Sequence, residues 1–268
     1  MLKRFVVLLF AWLSCAAGNF VGAAEAVLRI GDGSNGAPLT LFQKQALDLA
    51  LAGRGKVTMK RVLPSRAAAA LREGEFDLIV LDARFRPPAD AGLRTRPYAA
   101  EALCVYVHPG NPSGSLTPAE VLNLLTEARP RWSKFGPRAA DVQRITLKSD
   151  MPETTLIRRV FGERNYAPEV FRVGSMAQMF AFLNPAAVGF GPFVPERGAE
   201  IIALPVNDVA PDTAAVLSGR YPLTLHYWIV TGNSDSPLLA EFLSTVFSPE
   251  SRRMLPETGL LPIWEVQR

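Results

Sequence analysis

Val27-Leu28-Arg29-Ile30-Gly31-Asp32-Gly33-Ser34-Asn35-Gly36-Ala37-Pro38 runs from an apolar stretch through a glycine-rich loop to a proline that opens a helical pattern. Val27 to Gly31 reads as a strand and Asp32 to Gly36 as the loop, and a helix follows over about residues 38–52 with Leu39, Phe42, Ala46 and Leu49 on one face. The pattern then repeats. Lys56 to Val62 is a second strand, Pro64-Ser65 caps a helix through Arg72, and Phe76 to Leu81 is an apolar third strand ending at Asp82. Short apolar strands alternating with helical patterns predict an α/β fold built on parallel sheets with covering helices.

Downstream, Ala102 to Val107 is another strand, broken sharply by His108-Pro109-Gly110-Asn111-Pro112, where a lobe boundary is expected. Thr117-Pro118-Ala119-Glu120 is a capping box with proline at the first helical position, and its helix runs to about Glu127. Arg144 to Leu147 and Ala187 to Phe190 are strands, and helices are expected from Pro152 to Phe161 and from Ser175 to Leu183. Ile201 to Leu204 and Pro222 to Thr231 are strands that return the chain to the first lobe. Ser236-Pro237 and Ser248-Pro249 each start a closing helix, the first with Leu238, Leu239, Phe242, Leu243 and Val246 as its buried stripe. The expected division is residues 1–24 as signal, 25–108 with 206–268 as lobe I, and 109–205 as lobe II. The crossings near 108–110 and 205–222 would form the hinge.

The signal is read from Lys3 and Arg4, the apolar run Phe5 to Leu13, and small residues up to Ala24, after which cleavage is expected. The apolar core is too short to span a bilayer. Cys15 raises the alternative of a lipid anchor, although Trp12-Leu13-Ser14 fits a lipobox poorly. The mature chain is therefore expected in the periplasm or otherwise exported. With 29 basic and 25 acidic residues in all, the excess positive charge is too small to argue for nucleic acid. Without the signal only Cys104 remains, so no intramolecular disulfide can form, and its apolar surroundings point to a buried structural thiol. His108 and His226 lack ligand spacing, so no metal and no cofactor are implied.

Three loops lead from a strand into a helix N-terminus: Asp32 to Pro38, Lys148 to Pro152, and Val173-Gly174-Ser175. Such termini offer unpaired N–H groups and a positive dipole end to an anion, although every α/β protein has loops of this kind. Asp150, with Glu153 three residues on, also reads simply as a helix cap. Asp82 ends an apolar strand where ligands bind in open α/β sheets, or else caps the next turn. No Gly-x-Ser-x-Gly elbow and no base-held nucleophile appear, which leaves an exported hydrolase as a weak alternative.

Taken in order, these landmarks resemble the phosphate-binding proteins of ABC importers, within the type II periplasmic binding proteins. The resemblance is carried by Gly33-Ser34-Asn35-Gly36-Ala37-Pro38-Leu39, Phe76-Asp77 with Asp82-Ala83, Cys104 to Pro112, the Leu-Thr helix with Trp132, Ala186-Ala187-Val188-Gly189-Phe190, and Ser218-Gly219-Arg220-Tyr221-Pro222-Leu223. It implies two lobes, a hinge and a central cleft that closes on phosphate or a related oxyanion, working as a monomer with an importer's permease as partner and no enzymatic activity. In the family the loop serine, the third-strand aspartate and an Arg-Ser-Asp-Gly-Ser-Gly-Thr segment hold phosphate. That segment here is Lys148-Ser149-Asp150-Met151-Pro152-Glu153-Thr154, matching at Ser149, Asp150 and Thr154, with Lys148 in place of arginine. The ligand-binding candidates are accordingly Ser34, Asn35, Asp82, Lys148, Ser149, Asp150, Thr154 and Ser175. The other reading of the same scaffold is a binding protein that has changed or lost its ligand and serves as a sensor or interaction module.

Overall fold

The computed structural model describes residues 26–34, 42, 44–45, 48, 52–88, 92–111, 113–134, 140–148, 154–167 and 170–263. The expected signal segment and the loop from Asn35 to Pro38 lie outside them. Ten strands form one sheet, eight along the path β2-β1-β3-β9-β4-β7-β5-β6 and two, β8 and β10, paired to β4 off that path. Their ranges are β1 Val27–Gly33, β2 Lys56–Arg61, β3 Leu78–Asp82, β4 Arg94–Val107, β5 Gln143–Leu147, β6 Phe171–Val173, β7 Ala187–Pro192, β8 Ile202–Ala203, β9 Thr224–Thr231 and β10 Leu261–Pro262.

Parallel pairing holds only in the two flanks. β2, β1 and β3 are mutually parallel, as are β7, β5 and β6, but β9 runs antiparallel to both β3 and β4, and β4 runs antiparallel to β7. An unbroken apolar run records burial on both faces and is silent about strand direction, so the expectation of parallel sheets fails at the centre of this one. There β4 is continuous for 14 residues, starting eight residues before the expected strand. It pairs with β9 up to Ala102 and with β7 from Leu103 onward, so a single strand stitches the two flanks together.

Helices cover this frame: α1 Ala67–Arg72, α2 Pro118–Thr126, α3 Thr154–Phe161, α4 Met176–Phe182, α5 Thr213–Leu217, α6 Pro237–Val246 and α7 Pro249–Met254. The capping box of α2 forms as its sequence predicts, with the Thr117 hydroxyl accepting from Glu120 N and Glu120 Oε2 accepting from Thr117 N at 2.6 Å. Ser236 and Ser248 cap α6 and α7. Ser65 caps nothing, because a 3₁₀ turn over Pro64–Arg66 precedes α1 and its cap position is Leu63. The far end of α2 is closed by Arg144 from β5, which donates to the carbonyls of Leu124, Glu127 and Ala128. A cation there meets both the orphaned carbonyls and the negative end of the helix dipole.

The stripe on α6 buries Leu238, Leu239, Phe242 and Val246, with Leu243 half-buried. Each fully buried side chain of this size contributes about 1.5–3 kcal/mol, so α6 is anchored by packing rather than by helix propensity. Phe42 joins this core and meets Tyr98 and Phe242 at ring-centroid distances of 5.2 and 5.5 Å. On the opposite face of β3, Ile79 and Leu81 pack with α1. That face needs Gly31 and Gly33 in β1, where a Cβ would stand 2.7 Å from Ile79 Cγ1 and 2.5 Å from Leu81 Cδ2. Both glycines serve close packing inside the strand, which extends two residues past the Gly31 end read from the sequence.

Candidate functional site

Alternation along the strands decides which polar groups meet. Leu28 and Ile30 of β1, Leu78 and Val80 of β3, and Leu225, Tyr227 and Ile229 of β9 share one core, so Asp32, Asp82 and Tyr227 project on that same face. Asp32 pairs in register with Val80 and Gly33 with Leu81, and continuing the register by one residue sets Ser34 beside Asp82. Asp82 in turn stands opposite Tyr227, and Tyr227 opposite Ala99, two residues from Glu101. A polar row thus crosses the carboxyl ends of β1 and β3 and runs through β9 to the long strand β4.

Asp82 is 5% exposed and caps the 3₁₀ turn Ala83–Phe85, its Oδ1 accepting from Arg84 N at 2.9 Å. The Arg84 guanidinium then folds back onto the same carboxylate. Its Nε lies 3.0 and 3.1 Å from the two oxygens, and its Nη2 donates to Oδ2 at 2.6 Å. This bonding, outweighing partial burial, raises the Arg84 pKa further. Nη2 also donates to the carbonyl of Arg159 at 2.9 Å, so a side chain from the β3 end grips the last turn of α3. Arg159 reaches back. Its Nε and Nη2 donate to the two oxygens of Glu101 at 2.9 and 2.8 Å, and the Tyr227 hydroxyl donates to the same carboxylate. Burial draws the Arg159 pKa down and the Glu101 charge outweighs it, while burial first and Glu101 second push the Tyr227 phenol well up. Two charge-balanced pairs therefore cross-brace α3 against the strand ends.

At the end of β1, Ser34 N and Ser34 Oγ both donate to Asp32 Oδ1, at 2.8 and 2.7 Å. Asp32 is 4% exposed, and among the described residues its Oδ2 has no hydrogen-bond partner. In the other flank Lys148 is exposed just past β5, and Ser175 sits next to the parallel neighbour β6, where its Oγ accepts from Gln178 N and caps α4. Gln178 Oε1 also accepts from Gly174 N, so this helix start is closed by its own residues. Asn35, Ser149, Asp150, Pro152 and Glu153 lie outside the described residues, and Thr154 is described only as the first residue of α3.

The structure thus brings Ser34 and Asp82 together and adds Asp32, Arg84, Glu101, Arg159 and Tyr227, none of which was a sequence candidate. One signal was available: Glu101 is a lone acid in an otherwise apolar run, and buried carboxylates are nearly always paired. The remaining reactive groups are occupied or buried. Cys104 is fully buried, which pushes its thiol up to about 12. His226 Nε2 lies 3.1 Å from the Val216 carbonyl. Among the described residues no cluster of His, Cys, Asp and Glu could hold a metal, and no helix is long and apolar enough to cross a membrane.

No protein-family model matches the chain, and no curated protein matches it in sequence. Solved structures do match its fold. An ABC-type phosphate transport receptor from Vibrio cholerae is 17% identical, with 87% of this chain and 99% of that one covered at a TM-score of 0.62. PstS from Borrelia burgdorferi is 16% identical, covering 89% and 99% at 0.65. A possible phosphate binding protein from Planctomyces limnophilus is 16% identical, covering 90% and 94% at 0.76. With nearly the whole of each structure matched, the chain shares the fold of these three proteins.

Proposed function

We propose that this is an exported solute-binding protein that captures phosphate or a related small oxyanion in a cleft between two lobes and delivers it to an ABC importer. The observation that carries the reading is the coincidence of the near end-to-end fold match with a polar row at the carboxyl ends of β1 and β3. That is where ligands collect in open α/β sheets. In this reading lobe I comprises residues 25–108 and 206–268, lobe II residues 109–205, and the crossings near 108–110 and 205–222 form the hinge. Ser34, Asn35 and Asp82 contribute from lobe I, and Lys148, Ser149, Asp150, Thr154 and Ser175 from lobe II. The protein binds and releases without chemistry; among the described residues His108 Nδ1 accepts from Gly110 N and His226 Nε2 lies against the Val216 carbonyl. It acts as a monomer in the periplasm after removal of its signal, without nucleic acid.

A thermal-shift screen of the mature protein against phosphate, arsenate, sulfate, molybdate, carboxylates and sugars tests this, because a ligand that binds only the native state raises its apparent stability. Phosphate or arsenate should raise Tm at millimolar concentration. A response to sugars or carboxylates alone would overturn the oxyanion assignment. One observation favours the second reading, a receptor turned sensor or interaction module. Both described guanidiniums of the polar row, Arg84 and Arg159, are already neutralised by Asp82 and Glu101.

A further inference from the structure

We propose that a second ligand site lies in the pocket between the start of β4, the end of β9 and the flank of α6, and that it takes a medium-chain alkyl carboxylate. The pocket is separate from the polar row. Asp82 pairs with Tyr227 and Leu78 with Thr231, so the two sites stand at opposite ends of β9, about 13 Å apart along the strand. Its volume of about 550 Å³ is that of a small-molecule site. Strand alternation builds the charged side. Arg94 and Arg96 stand opposite Thr231 and Ile229, and Arg96 shares a face with Tyr98 because both meet the Phe247 ring. Two guanidiniums therefore rise from one strand with roots about 7 Å apart. The Arg96 guanidinium lies 3.5 Å from the Phe247 centroid, where a planar cation stacks on the ring and keeps its N–H edge open.

Arg84 and Arg159 are each held by an acid, but among the described residues no oxygen accepts from Arg94 or Arg96. Asp235, the single acid among the lining residues, is exposed and bonds to neither. The remaining wall is apolar. Leu239 and Leu243, one turn apart on α6, line the pocket with Ile229 and Phe247. The start of α6 is already closed, since Ser236 Oγ accepts from Leu239 N and Ser234 Oγ accepts from Ser236 N, so an anionic head belongs at the arginines. A carboxylate matches a guanidinium fork with paired N–H···O bonds. A bare phosphate or sulfate would fill the charged side and leave the leucines against water. An alkyl carboxylate satisfies both sides, and each methylene it buries adds about 4-fold in affinity.

Titration calorimetry of the mature protein with butyrate, hexanoate and octanoate, and with 1-octanol, tests both sides of the pocket. Octanoate should bind with a Kd of about 0.1–1 mM, about 100-fold tighter than butyrate and at least about 10-fold tighter than 1-octanol. Arg94→Gln and Arg96→Gln should each weaken octanoate by about 10-fold, and Leu243→Glu should abolish its binding. Arg94 is exposed, so Arg94→Gln carries the test if Arg96→Gln, which loses the stack on Phe247, fails to fold. Failure of octanoate to bind at millimolar concentration overturns the proposal, as does equal binding of 1-octanol or full affinity in the arginine variants. Competition between octanoate and phosphate would put octanoate in the polar row and overturn it too. Octanoate binding that appears only after residues 264–268 are removed would give the pocket to that segment, and the proposal would again be wrong. None of these outcomes bears on whether the protein captures an oxyanion, which the thermal-shift screen decides separately.

Discussion

Two arginine–carboxylate pairs meet at α3, and they differ in one respect. In Glu101–Arg159 the side chains are 6% and 5% exposed, whereas in Asp82–Arg84 they are 7% and 53% exposed. The first pair is sealed on all sides and joined by a phenol. The second has a buried anion and a cation open to water. Sealed charges cannot exchange partners without leaving one of them bare in a low dielectric, so Glu101–Arg159 is a fixed brace. An open cation can trade a protein partner for water at small cost, so Asp82–Arg84 is the adjustable half of the contact between β3 and α3. Movement of α3 against β3 should begin at the second pair.

The largest expected break of this contrast is Arg159→Ala. It strands the Glu101 carboxylate inside β4 with only the Tyr227 hydroxyl as a donor, and removing one partner of a buried pair costs about 3–5 kcal/mol. In a chain of this size that lowers Tm by roughly 10 °C, measurable by calorimetry. A change below about 1 kcal/mol would show that water reaches Glu101 and that the pair is not sealed.

Next in size is the response of the sealed pair to alkali. Tyr227 has a folded pKa raised above its unfolded value of about 10, so the native state holds its proton more tightly than the unfolded chain does. Its contribution is complete below pH 10 and is lost as pH rises through and beyond 10. Tyr98, Tyr106 and Tyr221 are shifted the same way, and Cys104 adds a window from about 9 to about 12. Denaturant unfolding should therefore give a stability that falls steeply above pH 9. Tyr227→Phe should cost about 1–2 kcal/mol at pH 7 through its lost hydrogen bond and should flatten that fall. An unchanged slope in the variant would remove Tyr227 from the network's titration.

How far the sequence foretold this depends on range. The caps at Thr117, Ser236 and Ser248 were legible because a cap is settled within four residues. The strand of Asp82 was legible because its apolar run ends where the strand does, whereas β1 continues through Asp32 and Gly33, two residues that were read as loop. The direction of β9 was not, since burial alone does not encode it, and the misreading of the Pro64-Ser65 start came from a 3₁₀ turn that competes with a capped helix. Glu101 and Arg159 lie 58 residues apart, and although Glu101 stands out as a lone acid in an apolar run, nothing local names Arg159 as its partner. Arg84 was missed for the opposite reason: it lies two residues from Asp82, and proximity in sequence looked like an ordinary loop.

The smallest expected effect is the most discriminating. Arg84→Ala removes a half-exposed guanidinium, leaves the backbone N–H of residue 84 on Asp82, and opens the carboxylate edge to water, so its cost should be about 1 kcal/mol or less. Salt separates it from Arg159→Ala. At 1 M the Debye length shrinks to about 3 Å, which screens charges that water can reach and leaves sealed ones nearly untouched. The cost of Arg84→Ala, taken from paired urea titrations with and without added NaCl, should then fall toward zero while that of Arg159→Ala holds. If the two costs fell together, the exposures of the pairs would not govern their energetics and Arg84 would be as fixed a brace as Arg159. If the Arg84 cost alone fell, the β3 end would be free to release α3 for very little, and the proposed closure on an oxyanion could be driven by a ligand of modest affinity.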